Sequence, residues 1–142
     1  MAKILLLGSG WPRHKLHSRD NVGRKLEQLG HKPIIMEYTK QTTKPLHLQF
    51  DELTKKNYDA IVAIYFDKTA NDAVHFELGF LTCKYIKTTN LFSKIYILTH
   101  SSIKKKELTS YLRDGLFYSV IHDPFNQKKE LVSYINRFVK SR

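Results

Sequence analysis

The sequence holds a single cysteine, Cys83, which excludes an intrachain disulfide and any CxxC metal or redox pair. Placed on an apolar helix face, it reads as a small core residue rather than a nucleophile. Long hydrophobic runs are also missing. No stretch approaches the roughly 20 residues that a membrane-spanning helix needs. The opening Met1-Ala2-Lys3 and the apolar residues 4–7 are too short a segment for a secretory signal. These gaps lead us to expect a cytoplasmic protein that does not engage a membrane. Acidic residues are scarce, 13 Asp and Glu against 24 Lys and Arg, for a formal net charge of +11. Such an excess suits an anionic nucleotide, nucleic acid or an acidic partner, although a solvated lysine-rich surface gives the same figure. GxxxxGK[ST], HExxH and GxSxG are all absent, so a P-loop, a zincin-type zinc site and an α/β-hydrolase serine are excluded.

What is present alternates regularly. At 142 residues and 42% apolar composition the chain matches one folded domain. Residues 3–7 form a short apolar run closed by Gly8-Ser9-Gly10, a buried strand. Ser18 then offers a cap for a helix with Asp20 in its first turn, Val22, Leu26 and Leu29 as its apolar stripe, and Gly30 as its end. Ile34, Ile35 and Met36 make a second strand, and residues 48–57 have helical spacing. Residues 60–65, apolar on both faces, read as a central strand covered by helices above and below. A helix over 72–87, a strand over 94–99, a helix over 104–113, a strand over 118–122 and a helix over 126–140 complete the pattern. Strand–helix repetition with parallel neighbours implies a doubly wound, flavodoxin-like or Rossmann-like α/β domain with five parallel strands in the order 2-1-3-4-5 and helices on both faces.

That order places a crevice at the carboxyl edge, between the loops that follow strands one and three. The first loop carries Gly8, Ser9, Gly10, Trp11 and Arg13. Its small residues let backbone amides approach a phosphate, Trp11 can stack on a ring, and Arg13, Lys15 and Arg19 can meet anions. The third glycine of a dinucleotide fingerprint is replaced by Arg13, so an ordinary tight turn with a basic loop remains open. The second loop carries Asp67, Asn71 and Asp72, then Glu77. On a helix Glu77 has Ala73, Val74, Phe80 and Leu81 at i±3 and i±4, all apolar, which predicts burial and a raised pKa. A core-edge carboxylate with a distant cation gives the same pattern.

The stretch Val74-His75-Phe76-Glu77-Leu78-Gly79-Phe80, after residues 59–64, resembles a pattern shared by the nucleoside 2-deoxyribosyltransferases and the bacterial TIR-like nucleotide-binding domains. The resemblance implies that Glu77 is catalytic, attacking or stabilising the anomeric carbon of a ribosyl group. Asn71 or Asp72 would then hold a base or ribose hydroxyl. It implies an N-glycosidase or deoxyribosyltransferase acting on NAD or a nucleoside, with no cofactor of its own, and homo-oligomeric assembly in the TIR-like case. Ala73-Val74 departs from the transferases' Gly-Thr step, and Asn71 is separated from Val74 where the TIR-like group joins an Asn-Val pair.

Other readings weigh against this one. A phospho-receiver domain has the same architecture but needs acidic residues directly after strand one, where this chain has Gly8-Ser9-Gly10, and Asp67 alone does not build a magnesium site. A metal site spanning His14, His17 and His75 lacks ligand spacing, and His75 should face away from Glu77. The main rival is a non-catalytic module that senses a nucleotide or contacts nucleic acid or a protein.

Overall fold

The computed structural model describes residues 1–9, 13–35, 44–69, 71–84, 93–104 and 117–141. Along the chain lie β1 (Lys3–Gly8), α1 (Arg13–Gln28), β2 (Lys32–Ile35), α2 (Leu46–Thr54), β3 (Ala60–Tyr65), α3 (Asp72–Lys84), β4 (Ile95–His100), β5 (Phe117–Ile121) and α4 (Lys128–Lys140). The strands form one sheet in the order β2-β1-β3-β4-β5, every neighbouring pair parallel. This is the doubly wound, flavodoxin-like arrangement that the alternating pattern implies.

The central strand β3 carries apolar residues at every position because both its faces are covered. On β3, Val62 and Ile64 join Ile4, Leu6 and Leu98 beneath α1 and α4, against Val22, Leu26, Leu131, Ile135 and Phe138. The alternate residues Ile61, Ala63 and Tyr65 join Leu5, Leu7, Ile95 and Ile97 on the opposite face, with Phe50 of α2 and Val74, Leu78 and Leu81 of α3. A period of two within each strand thus feeds two separate cores.

The structure corrects the start of the first helix. Ser18 does not cap it and Asp20 is not in its first turn, because α1 begins at Arg13. The buried stripe of α1 runs Lys15, Ser18, Arg19, Val22, Gly23, Leu26, which is continuous at helical spacing. Its first half is polar because it lies over the carboxyl edge of the sheet and not over the core. Apolar periodicity therefore starts one turn late. The helix ends as expected: Gly30 adopts φ 85°, His31 N–H donates to Leu26 O and Gly30 N–H to Glu27 O. That is the Schellman closure, whose left-handed residue favours glycine. Smaller differences affect other ends. β2 begins at Lys32, β5 runs from Phe117 to Ile121, and α4 starts at Lys128. Met36 and residues 105–113 of the expected fourth helix lie outside the described residues.

Candidate functional site

β1 and β3 end side by side, Gly8 paired in register with Ile64, and the chain leaves them towards α1 and α3 respectively. Between these exits lies the carboxyl-edge crevice. Of the residues expected there, Gly8, Ser9, Arg13, Asp67, Asn71, Asp72 and Glu77 are placed; Gly10 and Trp11 lie outside the described residues.

One ion pair dominates the described part of the crevice. Lys15, on the first turn of α1, has a fully buried side chain whose Nζ lies 2.6 Å from Oδ1 of Asp67, and it also donates to the Thr69 carbonyl. Asp67 Oδ1 accepts two more hydrogen bonds, from the Thr69 amide and hydroxyl, each at 2.9 Å. Partial burial alone would push the Asp67 carboxyl up. The hydrogen bonds from Lys15 and Thr69, with the lysine's charge, hold it below the ordinary carboxylate value. Asn71 Nδ2 donates to Asp67 O at 2.8 Å, which closes the loop on itself. Lys15 is thus engaged by the protein and is not a free phosphate ligand, contrary to expectation.

Arg19 is committed in the same way. Its Nη1 faces Gly8 O at 3.5 Å and its Nε faces Asp20 at 3.4 Å. Gly8 makes room for it: a Cβ at position 8 would stand 3.3 Å from Arg19 Cγ and Cδ. Arg13 and Asp72 are exposed, on the first turns of α1 and α3.

Glu77 shares the inward side of α3 with Val74, Leu78 and Leu81 and is only 2% exposed. Burial drives its pKa from 4.5 up to about 8, against the opposing charge of Arg19. Its Oε2 and the Oδ1 of Asn71 have no hydrogen-bond partner among the described residues. His75 is half-buried, its Nδ1 is 3.1 Å from the Tyr65 hydroxyl, and burial lowers its pKa against the pull of Asp72. No group of three or more His, Cys, Asp or Glu with metal-binding placement occurs among the described residues, and no helix among them is long and apolar enough to cross a membrane.

Neither a protein-family model nor a curated protein matches the sequence. Among solved structures the chain is similar to a Francisella response regulator 1452 receiver domain, with TM-score 0.57 and 18% identity over 99% of this chain and 98% of that one. At that identity the likeness establishes the fold.

This finding overturns the resemblance drawn from residues 74–80. The whole-chain likeness runs to a receiver domain and not to a nucleoside 2-deoxyribosyltransferase or a TIR-like domain. The N-glycosidase and glycosyltransferase reading falls with it, and the geometry explains why. A carboxyl that is 2% exposed with a pKa of about 8 is mostly protonated at neutral pH and turned into the core. It offers neither an accessible nucleophile nor a negative charge for an oxocarbenium ion.

Proposed function

We propose that the chain is a non-catalytic interaction module on the receiver architecture, working by contact and without magnesium-dependent phosphorylation. The observation that carries this reading is the Lys15–Asp67 pair. The acidic side chain that follows β3 is neutralised by a buried lysine of α1, and the residues directly after β1 are Ser9 and Gly10 instead of acids. Magnesium requires several hard oxygen ligands in near-octahedral order, and a lone carboxylate already bonded to an ammonium does not supply them. The net charge of +11 favours a partner with an acidic surface. A cytoplasmic setting belongs to the same reading, since the single cysteine makes no demand for an oxidising compartment.

The test is incubation with acetyl phosphate and Mg²⁺, followed by intact-mass spectrometry. No phosphoryl gain is expected. A gain that disappears in Asp67→Asn would overturn the proposal.

A second reading, small-molecule sensing at the same crevice, is favoured by the acceptor Asn71 Oδ1, which has no hydrogen-bond partner among the described residues. A ligand that donates a hydrogen bond, such as the base of a nucleotide or nucleoside, would satisfy it. Calorimetric titration with a nucleotide and nucleoside panel separates the two: binding that Asn71→Ala abolishes supports the sensor, and no heat with any member removes it.

A further inference from the structure

A second hollow, of about 300 Å³, opens where the edge strand β5 meets the last turns of α4, away from the carboxyl-edge crevice. Its walls include Tyr96, Phe117, Tyr134 and Phe138, its hydroxyl-bearing residues include Tyr96 and Ser119, and the one charged residue lining it among the described residues is Arg137. The rings are ordered among themselves. Phe138 contacts Tyr96 at a centroid distance of 4.6 Å and Phe117 at 5.3 Å. Arg137 lies over the Tyr134 ring at 4.7 Å, exposed, with no carboxylate within ion-pair distance among the described residues. Phe117 is 38% exposed at the rim, although it packs on Phe138.

We propose that this groove binds one base of single-stranded nucleic acid. The partly exposed Phe117 ring is a stacking face. The Tyr96 and Ser119 hydroxyls, 2.6 Å apart, can donate to and accept from a base edge. Arg137, held flat by Tyr134, reaches the adjoining phosphate. Aromatic faces beside an arginine are the elements by which proteins hold unpaired strands, since every base has a π-face. A base inside a duplex is already stacked and cannot enter. The hollow has the volume for a single base. The negative end of α4 opposes an anion here. That opposition is reduced because Ser141 N–H donates to Arg137 O and Ser141 Oγ to Phe138 O, engaging two of the last carbonyls. The net charge of +11 supplies the long-range attraction. None of these residues belongs to the crevice between β1 and β3, so the inference stands or falls apart from the reading above.

The experiment is fluorescence anisotropy with labelled oligouridine, oligodeoxythymidine and a duplex of equal length, over a series of salt concentrations. Single strands should bind more tightly than the duplex, and comparison of the two single strands tells RNA from DNA. Phe117→Ala should weaken binding about tenfold, the scale of one lost stacking contact, and Phe117→Leu, which keeps the apolar packing, should weaken it likewise. Phe117→Tyr should retain it. Arg137→Gln should flatten the salt dependence by a slope of about 0.7, one phosphate contact on a single strand, while Lys56→Gln on the exposed loop before β3 leaves both quantities unchanged. Equal affinity for the duplex, or equal loss in Lys56→Gln and Arg137→Gln, would show diffuse charge attraction and overturn the proposal. Preferential binding of a tyrosine-phosphorylated peptide, lost in Arg137→Gln, would overturn it in favour of a protein partner.

Discussion

Lys15 Nζ sits 2.6 Å from Asp67 Oδ1, with the lysine side chain fully buried and the aspartate about one-third exposed. The pair ties the first turn of α1 to the loop after β3, two segments far apart in sequence. Removing one member leaves a buried charge without compensation, which is more harmful than removing the charge itself.

Asp67→Asn should therefore destabilise the fold by about 2 kcal/mol, a value set below the range for fully buried pairs because solvent reaches the aspartate. Lys15→Met, which removes the buried charge and keeps most of the volume, should cost less. Urea denaturation at neutral pH checks both. Because the folded carboxyl is held below its ordinary value, its contribution is present above that ordinary value and fades as pH falls through the lowered one.

Glu77 gives the opposite slope. Its folded pKa of about 8 lies above 4.5, so between these values the unfolded chain ionises while the folded chain keeps its proton. Stability should fall as pH rises from 4.5 to 8 and level off above. At about 1.4 kcal/mol per pH unit, the loss at pH 7 is roughly 3 kcal/mol. Glu77→Gln, close in shape and uncharged, should remove this slope and be more stable than wild type at pH 7 and above. Thermal melts of both proteins across that range decide it; parallel curves would show that Glu77 ionises freely in the folded protein.

His31 bridges distant parts of the chain. Its Nδ1 accepts from the Ala2 amide at 3.2 Å and its Nε2 lies 2.8 Å from Asn136 Oδ1 on α4. An accepting Nδ1 leaves Nε2 as the donor of a neutral ring. His31→Ala should cost about 1–2 kcal/mol, one or two net hydrogen bonds. A double-mutant cycle with Asn136→Ala should show a coupling of several tenths of a kcal/mol or more.

Gly30→Ala places a Cβ on a residue at φ 85°, where nothing stands within 4 Å of it. The cost is conformational only, about 1 kcal/mol, and should appear in the melting temperature with the fold unchanged by circular dichroism.

Fold and site were unequally legible. The sheet could be read because β1, β3 and β4 are apolar at almost every position and Gly30 marks the end of α1. Burial of Glu77 followed from its four apolar neighbours at helical spacing. Its environment did not, since Arg19 approaches from another helix past a glycine, a contact with no sequence signature. Lys15 and Arg19 looked like surface cations because lysine and arginine are rarely buried. Tertiary partners, Asp67 and Thr69 O for Lys15 and Gly8 O for Arg19, make their burial tolerable. The resemblance at residues 74–80 misled for a related reason. A carboxylate among apolar residues in a helix start signals that the position is inside, and says nothing about whether a substrate can reach it.

The all-parallel ladder also has a kinetic consequence. Leu5 of β1 pairs with Ile34 on one side and Ile61 on the other, and no two of the five described strands pair as a hairpin. No piece of the sheet can therefore form from neighbouring residues. The β1–β2, β1–β3 and β3–β4 pairings must each first close a loop that contains a helix, at an entropic cost met before any ladder bond repays it. High contact order of this kind slows folding. The apolar residues 4–7 leave the ribosome before β3 and must wait for it before they are covered, a window in which the nascent chain is open to aggregation.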